Sequence, residues 1–142
     1  MDNPEFTQIL LSIKPIHAMK IMEGIKNIEV RKKIGKSFQP NTRIIIYSSS
    51  PVQQIVGSAI IDKVIKKELG DVSAEELAQA CLKKCELYSY LSNNCEFFLI
   101  YLKEIKRAEK YITIKELSKL GIKIPQSFRY INKSILEKID NI

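Results

Sequence analysis

Apolar and polar positions along the chain follow different rhythms, and each rhythm predicts a different element. From Thr7 to Ile13 the residues Ile9, Leu10, Leu11 and Ile13 put apolar groups on both faces, the pattern of a strand covered on both sides. Pro15 then opens a short helix in which Ile16, Met19, Ile21 and Met22 recur at helical spacing, and Gly24 stops it. From Ile28 to Lys33 the rhythm turns to alternation: Ile28 and Val30 share one face of a strand, Glu29 and Arg31 the other. Glycine, serine, proline and asparagine between Gly35 and Asn41 predict a loop, followed by a strand from Thr42 to Ser48.

Ser48-Ser49-Ser50-Pro51 reads as a turn, and Gln54 to Lys63 as a long strand in which Gly57 marks a bulge or a close backbone approach. Ser73 with Glu76 forms a capping-box signature, after which Leu77, Ala78, Cys81, Leu82 and Cys85 continue at helical spacing to Asn93-Asn94. Residues 96–107 predict a second long strand through Phe97-Phe98-Leu99-Ile100-Tyr101-Leu102, its aromatics belonging to the core. Thr113 with Glu116 repeats the capping box for a short helix ending at Gly121, and Ile131, Ile135, Leu136 and Ile139 outline a last amphipathic helix. About five or six strands with helices after the first and in the middle predict a small, partly open α+β barrel with flanking helices.

Composition narrows the class without changing that picture. A chain of 142 residues, 45% apolar and 27% charged, is most simply one domain spanning 1–142 with no need of a disulfide or metal staple. No apolar run approaches the ~20 residues that span a bilayer, and Met1 to Glu5 is polar and acidic rather than a leader, so a cytoplasmic protein is expected, with no membrane partner. Three cysteines, Cys81, Cys85 and Cys95, make an odd number unlike a secreted disulfide framework, and Cys81 and Cys85 are too few ligands for zinc. They read as free thiols, His17 as a residue on a helix face, and neither metal nor cofactor is expected. A monomer is the simplest state.

Charge changes the picture more. Residues 14–43 carry eight Lys or Arg against Glu23 and Glu29, whereas residues 62–110 carry nine of each sign, so most of the formal +7 sits around one segment. Such a patch is the footprint of a polyanion.

Inside it lies Gly24-Ile25-Lys26-Asn27-Ile28-Glu29-Val30-Arg31, which sets a lysine, a carboxylate and a guanidinium on the polar side of a strand whose other side is buried. A Glu–Arg pair two apart on a strand is by itself usually a solvated pair of small value. Its surroundings give it weight. Leu11-Ser12-Ile13-Lys14-Pro15, a helix, the Gly-x-Lys-x-x-Glu-x-Arg segment, a strand ending Tyr47-Ser48-Ser49-Ser50-Pro51, then Ile55-Val56-Gly57 follow in an order that resembles the ASCH domain (activating signal cointegrator homology) of the PUA-like superfamily. Leu120-Gly121 and Pro125-Gln126-Ser127-Phe128-Arg129-Tyr130 resemble the closing segment of small single-domain members, so the resemblance covers about residues 7–131.

The resemblance implies a PUA-like barrel and a cleft associated with RNA or modified-base recognition. Carried over, the cleft residues are Lys14, Lys26, Glu29 and Arg31, with Ser48 and Ser49 opposite and Gln126, Ser127 and Arg129 from the closing segment. Lys32, Lys33 and Lys36 add cations for phosphate, and Tyr47 or Tyr130 a surface for an unpaired base. One branch of the family deacylates N4-acetylcytidine with a lysine and a threonine matching Lys26 and Glu29, and other members are ribonucleases. Here Glu29 replaces the threonine, which removes the hydroxyl nucleophile and leaves Lys26 and Glu29 as the catalytic candidates. Three functions follow: a non-catalytic RNA- or nucleotide-binding module, with a role in transcription regulation in view; a small hydrolase acting on a modified nucleoside or on RNA; or a regulatory protein-interaction domain whose basic face meets an acidic partner.

Overall fold

In the computed structural model, which describes residues 8–140, these rhythms become six strands and five helices. β1 (Gln8–Ile13) and β3 (Arg43–Ser48) pair in parallel, with Ile9 opposite Ile44 and Leu11 opposite Ile46. Their continuous apolar runs follow from cover on both faces. Ile9, Leu11, Ile13, Ile44 and Ile46 enter one core cluster, while Leu10, Ile45 and Tyr47 enter a second.

The crossover between β1 and β3 carries α1 (Pro15–Met22) and β2 (Ile28–Arg31). β4 (Gln54–Glu68) and β5 (Glu96–Thr113) form the long antiparallel middle of the sheet, and β6 (Phe128–Ile131) pairs antiparallel with β1. The sheet is mixed, runs β2-β5-β4-β3-β1-β6, and does not close. Together with its helices it is an α+β architecture.

α2 (Ala74–Ala80) and α3 (Lys84–Leu91) cover a third cluster, in which Ala80, Leu87 and Leu91 pack with Ile28, Val30, Phe97 and Leu99. α4 (Ile114–Lys119) and α5 (Lys133–Asp140) contribute Leu117 and Ile139 to the second. Both capping boxes form. The Ser73 hydroxyl accepts from Glu76 N–H at 3.0 Å and the Thr113 hydroxyl from Glu116 N–H at 3.1 Å. Gly57 is where backbones converge, since a Cβ there would lie 2.3 Å from the Lys106 carbonyl oxygen and 2.5 Å from Met22 Sδ. The register also shifts beside it, between Ile55 and Gly57.

The pattern misplaces some boundaries. The middle helix expected to run on through Cys81 and Cys85 is two helices, because Cys81 takes a left-handed conformation (φ 55°) that ends α2, and Cys85 lies in the first turn of α3. β4 and β5 overrun their predicted ends, Lys63 and residue 107, to Glu68 and Thr113, where Lys66, Glu68, Glu109 and Lys110 are exposed while Val64 and Tyr111 still pack against the first cluster. β2 stops at Arg31 instead of Lys33. Thr7 and the stretch Met1 to Glu5 lie outside the described residues.

Candidate functional site

The buried face of β2 fixes its polar face. With Ile28 and Val30 held under α2 and α3, Glu29 and Arg31 turn to the opposite side, where a cleft of about 870 Å³ opens beside the sheet. Lys26 joins them because Gly24, just past the end of α1, has a φ of +78° that lets the chain double back, with the Lys26 N–H bonded to the Lys20 carbonyl at 3.1 Å.

Lys26 is 1% exposed. Its ammonium donates to the carbonyl of Ala80, the last residue of α2, where the helix dipole favours a cation. Its Nζ stands 3.6 Å from Glu29 Oε1. Burial pulls the Lys26 pKa below its ordinary value, and Glu29 opposes that pull. The other Glu29 oxygen, Oε2, accepts from Arg31 Nε at 3.0 Å and meets Arg31 Nη2 at 2.9 Å. A carboxylate thus lies between two cations, and the cluster retains one positive charge.

Arg31 also ties the sheet's two ends together. From edge strand β2 its Nη2 donates to the Ser12 carbonyl at 2.7 Å and its Nη1 to Ser127 Oγ, just before edge strand β6, at 3.3 Å. Ser12 in turn donates its hydroxyl to the Pro125 carbonyl at 2.7 Å and its N–H to the Ser127 carbonyl at 2.9 Å. The cleft is therefore the seam of the unclosed sheet, latched by one guanidinium.

The structure gathers Lys14, Lys26, Glu29, Arg31, Ser49 and Gln126 around the cleft. Lys32, Lys33 and Ser127 line a smaller hollow of about 400 Å³ that shares Arg31 and Tyr90 with it. Ser48, Lys36 and Arg129 line neither hollow. Ser48 is buried at the end of β3, Lys36 is exposed in the loop between β2 and β3, and Arg129 Nη1 donates to the Lys123 carbonyl at 3.2 Å. Tyr47 and Tyr130 are occupied elsewhere. Tyr47 is buried in the second cluster, and Tyr130 accepts from Ser37 N–H at 3.1 Å while packing on Phe128.

His17, read above as a helix-face residue, faces this cleft, as do Ser12, Cys85, Glu86, Ser89 and Tyr90. His17 Nδ1 is buried without a hydrogen-bond partner. Burial, then the Lys26 ammonium, hold its imidazole below the ordinary value, with Glu29 pulling the other way. A neutral imidazole can take up a proton near pH 7, and a guanidinium fixed by a carboxylate presents a directed cation to phosphate. Burial raises the Tyr90 phenol pKa, so it stays protonated. Among the described residues, no three His, Cys, Asp or Glu side chains converge as a metal-ligand set.

A family model described as the ASCH domain matches residues 11–120. An ASCH domain-containing ribonuclease of Zymomonas mobilis subsp. mobilis is 23% identical over 140 residues, spanning 97% of this chain and 93% of that protein. The crystal structure of ASCH from Zymomonas mobilis superimposes with a TM-score of 0.87 at 20% identity, over 95% of this chain and 94% of that one. The N-terminal domain of Staphylothermus marinus McrB has a TM-score of 0.59 at 12% identity, over 94% of this chain and 93% of its own. At such identities these two structures establish the shared fold.

Proposed function

The chain belongs to the ASCH domain family, and from that premise we propose that its cleft takes single-stranded RNA, with cleavage of the bound strand as a second, separable activity. The observation that carries the binding reading is the latch: a guanidinium oriented by a buried carboxylate at the floor of a cleft, with Lys14, Lys32 and Lys33 at hand. Phosphate contacts of this kind supply affinity without reading sequence. An unpaired strand, whose bases are free to enter a cleft, suits such a site better than a duplex, whose bases are already stacked.

Cleavage is favoured by two specific observations. The Zymomonas relative, matched over almost its whole length, carries the name ribonuclease. His17 presents a neutral imidazole on the wall of the cleft whose floor holds Arg31. In that reading His17 takes the proton from a ribose 2′-hydroxyl, the 2′-oxygen attacks the adjacent phosphorus, and the bond to the 5′-oxygen breaks. Arg31 meets the charge that gathers on the phosphate. The products would be a 2′,3′-cyclic phosphate and a 5′-hydroxyl end, the leaving oxygen taking its proton from water.

The test uses one labelled single-stranded RNA in two assays. Binding is measured at low salt and cleavage in a time course. We expect wild-type protein to bind, Arg31→Ala to lose binding, and His17→Ala to bind normally but cleave at least tenfold more slowly. No RNA binding at low salt would remove the first reading. Binding without cleavage, or cleavage indifferent to His17, would remove the second.

A further inference from the structure

Tyr90 is the one Phe, Tyr or Trp among the described residues that line the cleft and the smaller hollow, and it lines both. Its place follows from α3. Leu87 and Leu91 turn into the third cluster at helical spacing, which leaves Glu86, Ser89 and Tyr90 along the cleft. Tyr90 remains 39% exposed, with Lys32 Nζ 5.0 Å from its ring centroid. Beyond it the smaller hollow is lined by Arg31, Lys32 and Lys33, with Asn94 and Ser127 as its uncharged polar groups. That hollow holds three cations and no carboxylate, so it is more strongly positive than the cleft itself, where Glu29 and Glu86 offset part of the charge.

An aromatic surface at the junction of two cationic hollows matches the alternation of base and phosphate along an unpaired strand. Resting on the RNA reading above, we propose that the two hollows are successive nucleotide subsites: the strand crosses at Tyr90, which stacks one base, and Lys32 and Lys33 take the next phosphate. The ligand is then an oligonucleotide of at least two nucleotides, and a nucleoside or mononucleotide fills only half of the site. Tyr90 is a binding residue that selects for chain continuity, because stacking is tolerant of base identity.

The experiment measures the affinity of 2′-O-methyl oligouridylates, which are not cleaved, at lengths of one, two, three and six nucleotides. For the wild type, affinity should rise at least tenfold from the mononucleotide to the trinucleotide. Tyr90→Ala should weaken the hexamer about tenfold and flatten the dependence on length, while Tyr90→Phe keeps both. Lys32→Ala guards against misfolding of the aromatic variant and should also lower hexamer affinity. Equal binding of mononucleotide and hexamer, or Tyr90→Ala and Lys32→Ala both binding the hexamer as the wild type does, would overturn the two-subsite track and leave the RNA reading standing. If the wild type binds no hexamer at low salt, both fall.

Discussion

Among the described residues the Lys26 ammonium is the most demanding group, since it is almost wholly withdrawn from water and Glu29 is its counter-ion. Glu29→Gln keeps the shape but removes the charge, so it should destabilise the fold by about 3 kcal/mol or more, measured by chemical denaturation. A loss well under 1 kcal/mol would mean that Lys26 is already neutral in the folded protein. The same carboxylate, engaged by Lys26 and Arg31, bears on amide hydrolysis. N4-acetylcytidine turnover should be very low in the wild type, and robust turnover abolished by Lys26→Ala would contradict this. His17 gives a pH signature. Its folded pKa lies below that of the unfolded chain, so the unfolded state binds the proton first as pH falls. Stability from this group is complete above about pH 6.5 and is lost as pH drops through the folded value. His17→Gln should flatten the acid side of the denaturation profile, and an unchanged profile would count against it. At this scale Lys26, Glu29 and Arg31 were legible together because strand alternation and one glycine fix their common side. His17 and Tyr90 were not, because helical spacing shows which residues share a face and not which cleft that face borders. The one available signal was an aromatic outside the Leu87 and Leu91 stripe.

At the scale of elements, Gly57 carries the sharpest prediction. Gly57→Ala would drive a methyl group into the Lys106 carbonyl and Met22, and because one obstacle is backbone the strands must part. We expect a loss of about 3 kcal/mol, seen as a lower denaturation midpoint, and a change under 1 kcal/mol would show that β4 and β5 can yield there. That glycine was readable because a glycine inside an apolar strand has few other uses. The helix break at Cys81 was not readable, since a cysteine gives no hint of a left-handed turn where glycine or asparagine is the usual sign. The extra length of β4 and β5 was equally hidden. Lys66, Lys67, Glu109 and Lys110 lie on exposed or half-exposed strand ends, where pairing depends on a partner that no local pattern names.

For the whole molecule the asymmetry of charge makes a quantitative demand. If about four phosphates are neutralised, log K for single-stranded RNA should fall with log salt at a slope near −3. The Lys32→Ala, Lys33→Ala double variant should reduce that slope by about 1.4, whereas Lys36→Ala, outside both hollows, should leave it alone. Equal effects from all three lysines would point to diffuse attraction instead of a defined track. The overall architecture was largely legible because β1 and β3 announce two-sided burial, and the partly open barrel expected from the strands is met by a six-stranded sheet that does not close. That openness gives Arg31 two duties at once. In the proposed function the guanidinium that meets a phosphate is the same one that fastens β2 to Ser12 and Ser127, so occupancy and fastening would draw on a single group and be thermodynamically linked. A bound strand would then register in the backbone of the sheet, as altered hydrogen-exchange protection of the Ser12 amide that bonds the Ser127 carbonyl. By the same reciprocity, a change at Pro125, which lines neither hollow, would alter the affinity for a strand by loosening the carbonyl that holds Ser12 and, through it, a partner of Arg31.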